Sequence, residues 1–295
     1  MGRNLRPLSE RKCIAATISF VLFAAWALVA MPHALADSPA PENAGAGGTD
    51  AGQAAPEKGE IEVGTVAADS DPTKPVLFSL RDEFFDLGGD LWRNVAMFRV
   101  DKAIFEKAGN PALGKGILMR ADLPVVSFYN GRDTETGLGD LYGQVIIAPR
   151  ISGPVFLAVG TGFLANTATA NSLGSGKWVV APALVPVWFF PRRGFSYVKI
   201  QDWISFAGSP SRPDVHFLTV TPTFLWRLSK RWWAQADAET NTNWEKDNRT
   251  NYKAGFLVGR MLSQRLGVSL KAEIPFGGYR QGDWTVKAVF FATRF

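Results

Sequence analysis

From residue 76 to residue 295 the chain alternates apolar and polar positions in segments of about 10 to 14 residues, the period of a β-strand whose two faces meet different surroundings. Leu218, Val220, Pro222, Phe224 and Trp226 share one face of such a segment, with Thr219, Thr221, Thr223 and Arg227 on the other. Trp232, Ala234, Ala236 and Ala238 likewise oppose Gln235, Asp237, Glu239 and Asn241. Leu266, Val268, Leu270, Ala272 and Ile274 oppose Ser269, Lys271 and Glu273. The pattern predicts strands at roughly 92–105, 117–128, 138–151, 154–166, 176–190, 194–207, 215–228, 231–241, 252–262, 266–276 and 284–295.

Alternation fits a soluble sandwich or a membrane barrel equally, so the connections must choose. Read backward from the end they run long at 277–283, tight at 263–265, long at 241–251 and tight at 229–230. They continue long at 208–214, tight at 191–193, long at 167–175 and tight at 152–153. Transmembrane barrels sort their turns in this way, short on the periplasmic side and longer outside. Such barrels have even strand numbers, and eleven segments leave one missing; Val76–Phe85, followed by the turn Asp86–Asp90, supplies it. The expected fold is therefore all-β, a transmembrane antiparallel up-and-down β-barrel of about 12 strands over residues 76–295, with ten as the alternative count. In that fold the apolar faces meet lipid and the polar faces line the lumen. Trp92, Phe128, Trp178, Trp188–Phe190, Trp203, Trp226, Trp232, Trp233, Tyr252 and Trp284 fall near strand ends, where aromatic girdles sit at the membrane interface. Pro149, Pro182, Pro186 and Pro222 fall inside strands, where a missing N–H predicts bulges.

The residues before 76 differ. Arg3, Arg6, Arg11 and Lys12 precede an apolar run from Ile14 to Met31 and then Ala34-Leu35-Ala36, the layout of a signal peptide (1–36) cleaved after Ala36. Residues 37–75 carry two basic and eight acidic side chains amid Ala, Gly and Pro, a composition predicting a disordered acidic leader. The surplus of eight basic charges on residues 76–295 accompanies no helix-turn-helix, zinc finger or basic helix, which argues against nucleic acid. Cys13 is the one cysteine and precedes the cleavage point, and the two histidines are His33 and His216. Disulfides and Cys-based metal sites are thus excluded from residues 37–295.

Gly137-Leu138-Gly139-Asp140-Leu141 and, about 35 residues on, Leu173-Gly174-Ser175-Gly176-Lys177-Trp178 resemble an outer-membrane β-barrel family labelled for the meta-pathway of phenol degradation. Arg120–Pro124 resembles the strand preceding the first motif. The resemblance spans about residues 90–295 and implies a transporter-like barrel taking up small organic solutes, aromatic or hydrophobic compounds among them. Gly137, Gly139, Gly174 and Gly176 read as backbone-permissive structural positions, with Asp140, Lys177 and Trp178 beside them. The C-terminal aromatic strand ending in Phe295 resembles the signal that the barrel assembly machinery recognises. The remaining expectations are a monomer in the outer membrane of a Gram-negative bacterium, contacting lipid, with no cofactor.

The polar faces collect Arg99, Asp101, Arg120, Asp122, Asp140, Arg150, Lys199, Gln201, Asp237, Glu239, Lys271, Glu273 and Lys287. In a pore these side chains set charge selectivity. Mixed signs on neighbouring strands also predict an ion-pair lattice that neutralises itself, above all at Arg99, Asp101, Arg120 and Asp122. Two other functions compete: an outer-membrane lipid hydrolase built on His216, and a purely structural barrel. No Gly-x-Ser-x-Gly elbow accompanies His216, and loops of about 7 to 11 residues offer little adhesive surface.

Overall fold

A computed structural model describes residues 76–104, 116–148, 155–190, 193–277 and 282–293. The signal segment 1–36, the leader 37–75, Arg150 and Phe295 lie outside the described residues. The strands are β1 (Val76–Gly88), β2 (Leu91–Ile104), β3 (Gly116–Asn130), β4 (Thr134–Leu138), β5 (Leu141–Ala148), β6 (Val155–Ala165) and β7 (Lys177–Phe190). They continue as β8 (Gly194–Gly208), β9 (His216–Arg227), β10 (Trp232–Asn243), β11 (Arg249–Met261), β12 (Leu266–Phe276) and β13 (Trp284–Thr293). β4 and β5 both pair with β3 and form one interrupted stave, so the sheet has twelve staves. β1 pairs with β13 and with β2, and β2 pairs with β3, which closes the sheet on itself. All neighbours are antiparallel, and closure pairs both sides of every stave except along β4, which pairs with β3 alone among the described residues.

Facing follows the period-2 pattern. In β12 Ser269, Lys271 and Glu273 are buried while Leu270, Ala272 and Ile274 are exposed. Ile274 is 63% exposed and its neighbour Glu273 2%. A water-soluble protein reverses that order, whereas lipid makes it favourable. Pro182, Pro186 and Pro222 keep the register of their strands instead of introducing the predicted bulges. The register shift that does occur between β7 and β8 is at Trp178/Val179.

The sorting of turns holds from β6 onward but reverses before it. The β1–β2 and β3–β4 turns, at the end carrying the 166–176, 209–215 and 244–248 loops, are tight. Outward rings gather at both ends. At this loop end Phe84 lies 5.4 Å from Trp284 and 5.9 Å from Trp92, and Trp92 lies 5.8 Å from Tyr129. At the other, turn end, Phe190 meets Phe224 at a tilt and Phe224 stacks on Trp226, with the Arg193 guanidinium over Trp226 and that of Arg260 over Trp232. Four of the predicted girdle residues point inward instead. Phe128 lies under Arg93, Phe189 packs on Phe195, Trp203 meets Tyr142, and Trp233 packs edge-on against Phe291. The parity of each strand dictates this: Trp203 shares a face with buried Gln201, and Trp233 with buried Gln235.

The large inward rings are accommodated by glycines. A Cβ on Gly259 would collide with the Trp233 indole, one on Gly267 with Phe291, and one on Gly162 with Tyr142. Trp233 and Gly259 are direct cross-strand partners, as are Phe291 and Gly267. Each ring lies flat over the space a side chain would have filled. With Val185, Val187, Phe195, Leu225, Leu257 and Val289 the rings of Trp233 and Phe291 form an apolar layer inside the turn end of the barrel. The interior is consequently layered, not polar throughout.

Candidate functional site

The charged side chains face the lumen in one belt above the apolar layer. On β2 and β3, direct cross-strand partners pair as Arg99–Asp122 and Asp101–Arg120. Arg99 donates from Nε and Nη2 to the two Asp122 oxygens at 2.7 and 2.8 Å. Arg120 donates to Asp101 at 2.8 and 3.4 Å. This fork geometry is the strongest form of the pair. A second set runs over β10, β11, β12, β13 and β1. Lys253 lies 3.3 Å from both Glu239 and Glu273, and Lys271 lies 2.9 Å from both Asp237 and Glu273. Lys287 continues it to Glu273 at 3.2 Å and Glu83 at 3.5 Å, and Arg81 ends it on Glu83 at 2.9 Å. Glu273 thus holds three ammonium groups.

Arg81, Glu83 and Lys253 escaped the reading of the sequence. Their signal was present: Arg81 and Glu83 alternate with Leu80, Asp82 and Phe84, and Lys253 shares a parity with Gly255 and Leu257 opposite Ala254, Phe256 and Val258. Asp82 weakens the first pattern, because it sits on the outward face and accepts a 2.9 Å hydrogen bond from Asn94.

The wall from β5 to β7 lacks this lattice. Gly160, Gly162, Ala181 and Ala183 line it, and the Tyr142 ring crosses it to accept a 3.2 Å hydrogen bond from Gln201 Nε2 on β8. Lys199 stands on the same face of β8 as Gln201 and makes no ion pair or hydrogen bond among the described residues.

Asp140 is differently engaged. It sits in the gap between β4 and β5, where Gly139 N–H donates to Pro124 O at 3.0 Å. Its Oδ1 accepts the Thr167 and Ala168 amides at 3.1 Å each, and its Oδ2 accepts the Ser175 amide at 2.6 Å and hydroxyl at 2.8 Å. The two glycine motifs therefore meet. A Cβ on Gly174 would strike the Asp140 carboxylate, and one on Gly137 would strike Thr169 and Leu173. Gly176 has φ +73° and packs on Arg212. Arg212 in turn donates to the carbonyls of Ser175, Asn171 and Gly174 at 3.3, 2.9 and 2.8 Å. Buried Lys177 donates to Asp214 at 2.6 Å, and this bond holds the exposed Asp214 carboxyl below the usual carboxylate range. Arg93 reaches Ser172 O at 3.4 Å, and the Ser172 hydroxyl bonds Glu135. The 166–176 loop is thereby tied to β2, β4, β5 and the 209–215 loop. Trp178 faces outward, 5.6 Å from Phe163.

The interruption of the stave leaves a groove of about 320 Å³ in the wall, lined by Phe98, Val100, Leu123, Leu141 and Phe163, with Asp122 and Tyr142 at its inner side. His216 is on the outward face, with Nε2 3.6 Å from Asp202 Oδ2 and its ring 6.2 Å from Trp244. Beside it on the outward face, Leu218 on β9 and Ile204, the cross-strand partner of His216, carry no hydroxyl, and the Thr242 hydroxyl on β10 is bonded to Thr250 at 3.0 Å. A hydrolase needs a nucleophile within hydrogen-bond reach of the base. Among the described residues, no group of three or more His, Cys, Asp or Glu side chains is placed to hold a metal ion.

No family model and no curated protein matches the sequence. Among solved structures, the COG4313 outer membrane channel from Pseudomonas putida F1 is similar with a TM-score of 0.60 at 11% identity, covering 81% of this chain and 99% of that one. The NanC porin (TM-score 0.48, 9% identity, 74% and 100% covered) and the KdgM porin (0.47, 8%, 74% and 99%) are more distant. The first likeness establishes the fold as that of outer-membrane barrels. The meta-pathway label acquires no support from these matches.

Proposed function

We propose that this chain is a monomeric outer-membrane channel that admits small organic solutes, aromatic or hydrophobic compounds among them. In this reading the signal segment 1–36 is removed on export, the barrel assembly machinery inserts residues 76–295, and Gram-negative outer-membrane lipid covers the belt of exposed Leu, Val, Ile and Phe. The observation that carries it is the layering of the lumen. A belt of mutually neutralised charges lies above a layer of inward apolar side chains, and a solute passing both must be partly apolar and small. Val185, Leu225 and Phe291 pack together at the turn end, where dehydration penalises an ion far more than a small aromatic. Proteoliposome swelling tests this. Phenol-sized solutes should enter faster than sugars of equal mass, and planar bilayers should show small, discrete conductance steps. Swelling no faster than in protein-free liposomes, with no steps, would overturn the proposal.

The hydrolase reading keeps one supporting observation, the Asp202–His216 approach on the lipid face. The engagement of the nearby Thr242 hydroxyl with Thr250, and the lack of a hydroxyl on Leu218 and Ile204, count against it. Membranes carrying His216→Ala should hydrolyse phospholipid at the same background rate as wild type; a measurable loss would revive that reading.

A further inference from the structure

One stretch of the lumen wall differs from the self-neutralising belt. On β8 the inward positions run Tyr197, Lys199, Gln201, Trp203, so alternate residues place an ammonium, an amide and an indole within about 14 Å along one line. Facing them across the small-residue wall are Tyr142 and Gln144 on β5, with Gly160, Gly162, Ala181 and Ala183 as the floor. The Trp203 ring lies 5.7 Å from Tyr142 and 5.6 Å from Phe217, an aromatic surface at one end of the line.

Three donors here lack acceptors. Trp203 Nε1 and Gln144 Nε2 are buried with no hydrogen-bond partner, Gln144 being only 5% exposed, and the Lys199 ammonium has no carboxylate beside it. Arg120 and Arg99 stand close enough for their charges to repel that ammonium, while Glu239 and Asp122 attract it from beyond ion-pair distance, each already held by a cation of its own, Lys253 and Arg99. Both guanidiniums already have a carboxylate each, so the surplus positive charge at this place is that of Lys199. Buried polar groups ordinarily find partners, and a cluster of unmatched donors without a matching acceptor calls for oxygen atoms from elsewhere. A carboxylate supplies such acceptors, and its charge also relieves the repulsion on Lys199. The rings of Tyr142 and Trp203 and the shallow floor between β5 and β8 favour a flat apolar remainder over a bulky one.

We infer that the lumen wall between β5 and β8 is a binding site for a small aromatic carboxylate, whose carboxylate meets Lys199 and whose ring lies against Tyr142 and Trp203. The inference rests on the reading of the lumen as a solute passage and narrows the solute to a class.

The test uses the protein purified from outer membranes in detergent, with benzoate, benzyl alcohol and acetate as probes in equilibrium binding. Benzoate should bind at least about tenfold tighter than either alcohol, which lacks the charge, or acetate, which lacks the ring. Lys199→Met should cut benzoate binding about tenfold and leave benzyl alcohol unchanged, and Trp203→Phe should weaken benzoate severalfold. Equal binding of benzoate and acetate, or a Lys199→Met protein that binds benzoate like wild type, overturns the site. Should Lys199→Met fail to fold, judged by heat-modifiable gel mobility, Trp203→Phe decides alone, and unchanged benzoate binding overturns the site. Bilayer conductance of the same preparation separates the two readings. Binding that depends on Lys199 without conductance sustains the site and sinks the passage; conductance without benzoate binding does the reverse.

Discussion

Arg99 and Asp122 show what a paired charge does when its partner goes. Both are largely buried, with side chains 12% and 4% exposed, and each satisfies the other through two hydrogen bonds. Asp122→Ala leaves the Arg99 guanidinium beside Arg120 and Arg81 with nothing to neutralise it. Unfolding by urea, followed by tryptophan fluorescence, should show a loss of about 3 kcal/mol, the scale of breaking one partner of a buried pair. Arg99→Ala with Asp122→Ala should lose less than the sum of the two single changes by more than about 1 kcal/mol, because the second removal takes away the stranded charge. Asp140 makes a different prediction. It accepts three backbone amides and one hydroxyl from the 166–176 loop, so Asp140→Ala should speed hydrogen exchange at Thr167, Ala168 and Ser175 while amides in β12 stay protected. Uniform exchange across both regions would assign Asp140 to global stability instead. That Asp140 would face a loop was not legible: parity puts it on the inner face with Tyr142, and parity says nothing of a loop that folds back onto the same face.

At the scale of strands, small residues decide how closely backbones approach. Gly160 on β6 has the Val145 carbonyl and the Ile146 Cα against its missing side chain, so an added methyl must displace backbone. Gly143 on β5 has only the Arg120 carbonyl at 3.8 Å, an ordinary contact. Gly160→Ala should therefore cost well over about 1 kcal/mol while Gly143→Ala stays within about 0.5 kcal/mol of wild type; similar losses at both would show the β5–β6 spacing to be compliant. The loops follow a charge. The hydrogen bond from Lys177 depresses the Asp214 carboxyl, so the stabilisation it lends the 209–215 loop is present at neutral pH. That stabilisation is lost as pH falls through the depressed folded value, below the ordinary carboxylate range. A carboxyl NMR titration should put Asp214 below a free aspartate, and Lys177→Met should bring it back up. The strands themselves were legible because lipid outside and water inside impose a period of two on every stave. The break between β4 and β5 was not, since Pro124 and Gly139 lie in segments whose alternation continues past them.

For the molecule as a whole, the count of staves followed from parity and the turn pattern, but the apolar layer inside the turn end did not. Val185, Leu225, Leu257 and Phe291 share faces with polar residues, and alternation alone assigns that face to water. Their packing over Gly259 and Gly267 depends on which strands become neighbours, which no local pattern carries. The belt above this layer yields the prediction that concerns permeation. Glu273 is buried among Lys253, Lys271 and Lys287 and is the acid common to all three. Glu273→Gln keeps the shape of the side chain and removes the negative charge, leaving those three ammonium groups with Asp237, Glu239 and Glu83 as partial partners. In a narrow passage with low-dielectric walls a fixed charge acts over the full bore. Under a KCl gradient the reversal potential should move toward that of chloride. Lys271→Met, which frees Asp237 and Glu273 from a shared cation, should move it toward potassium. Opposite shifts from two residues 2.9 Å apart would place the ion path beside this cluster. Identical reversal potentials in wild type and both variants, with conductance intact, would mean that ions pass elsewhere and that the belt only holds the wall together.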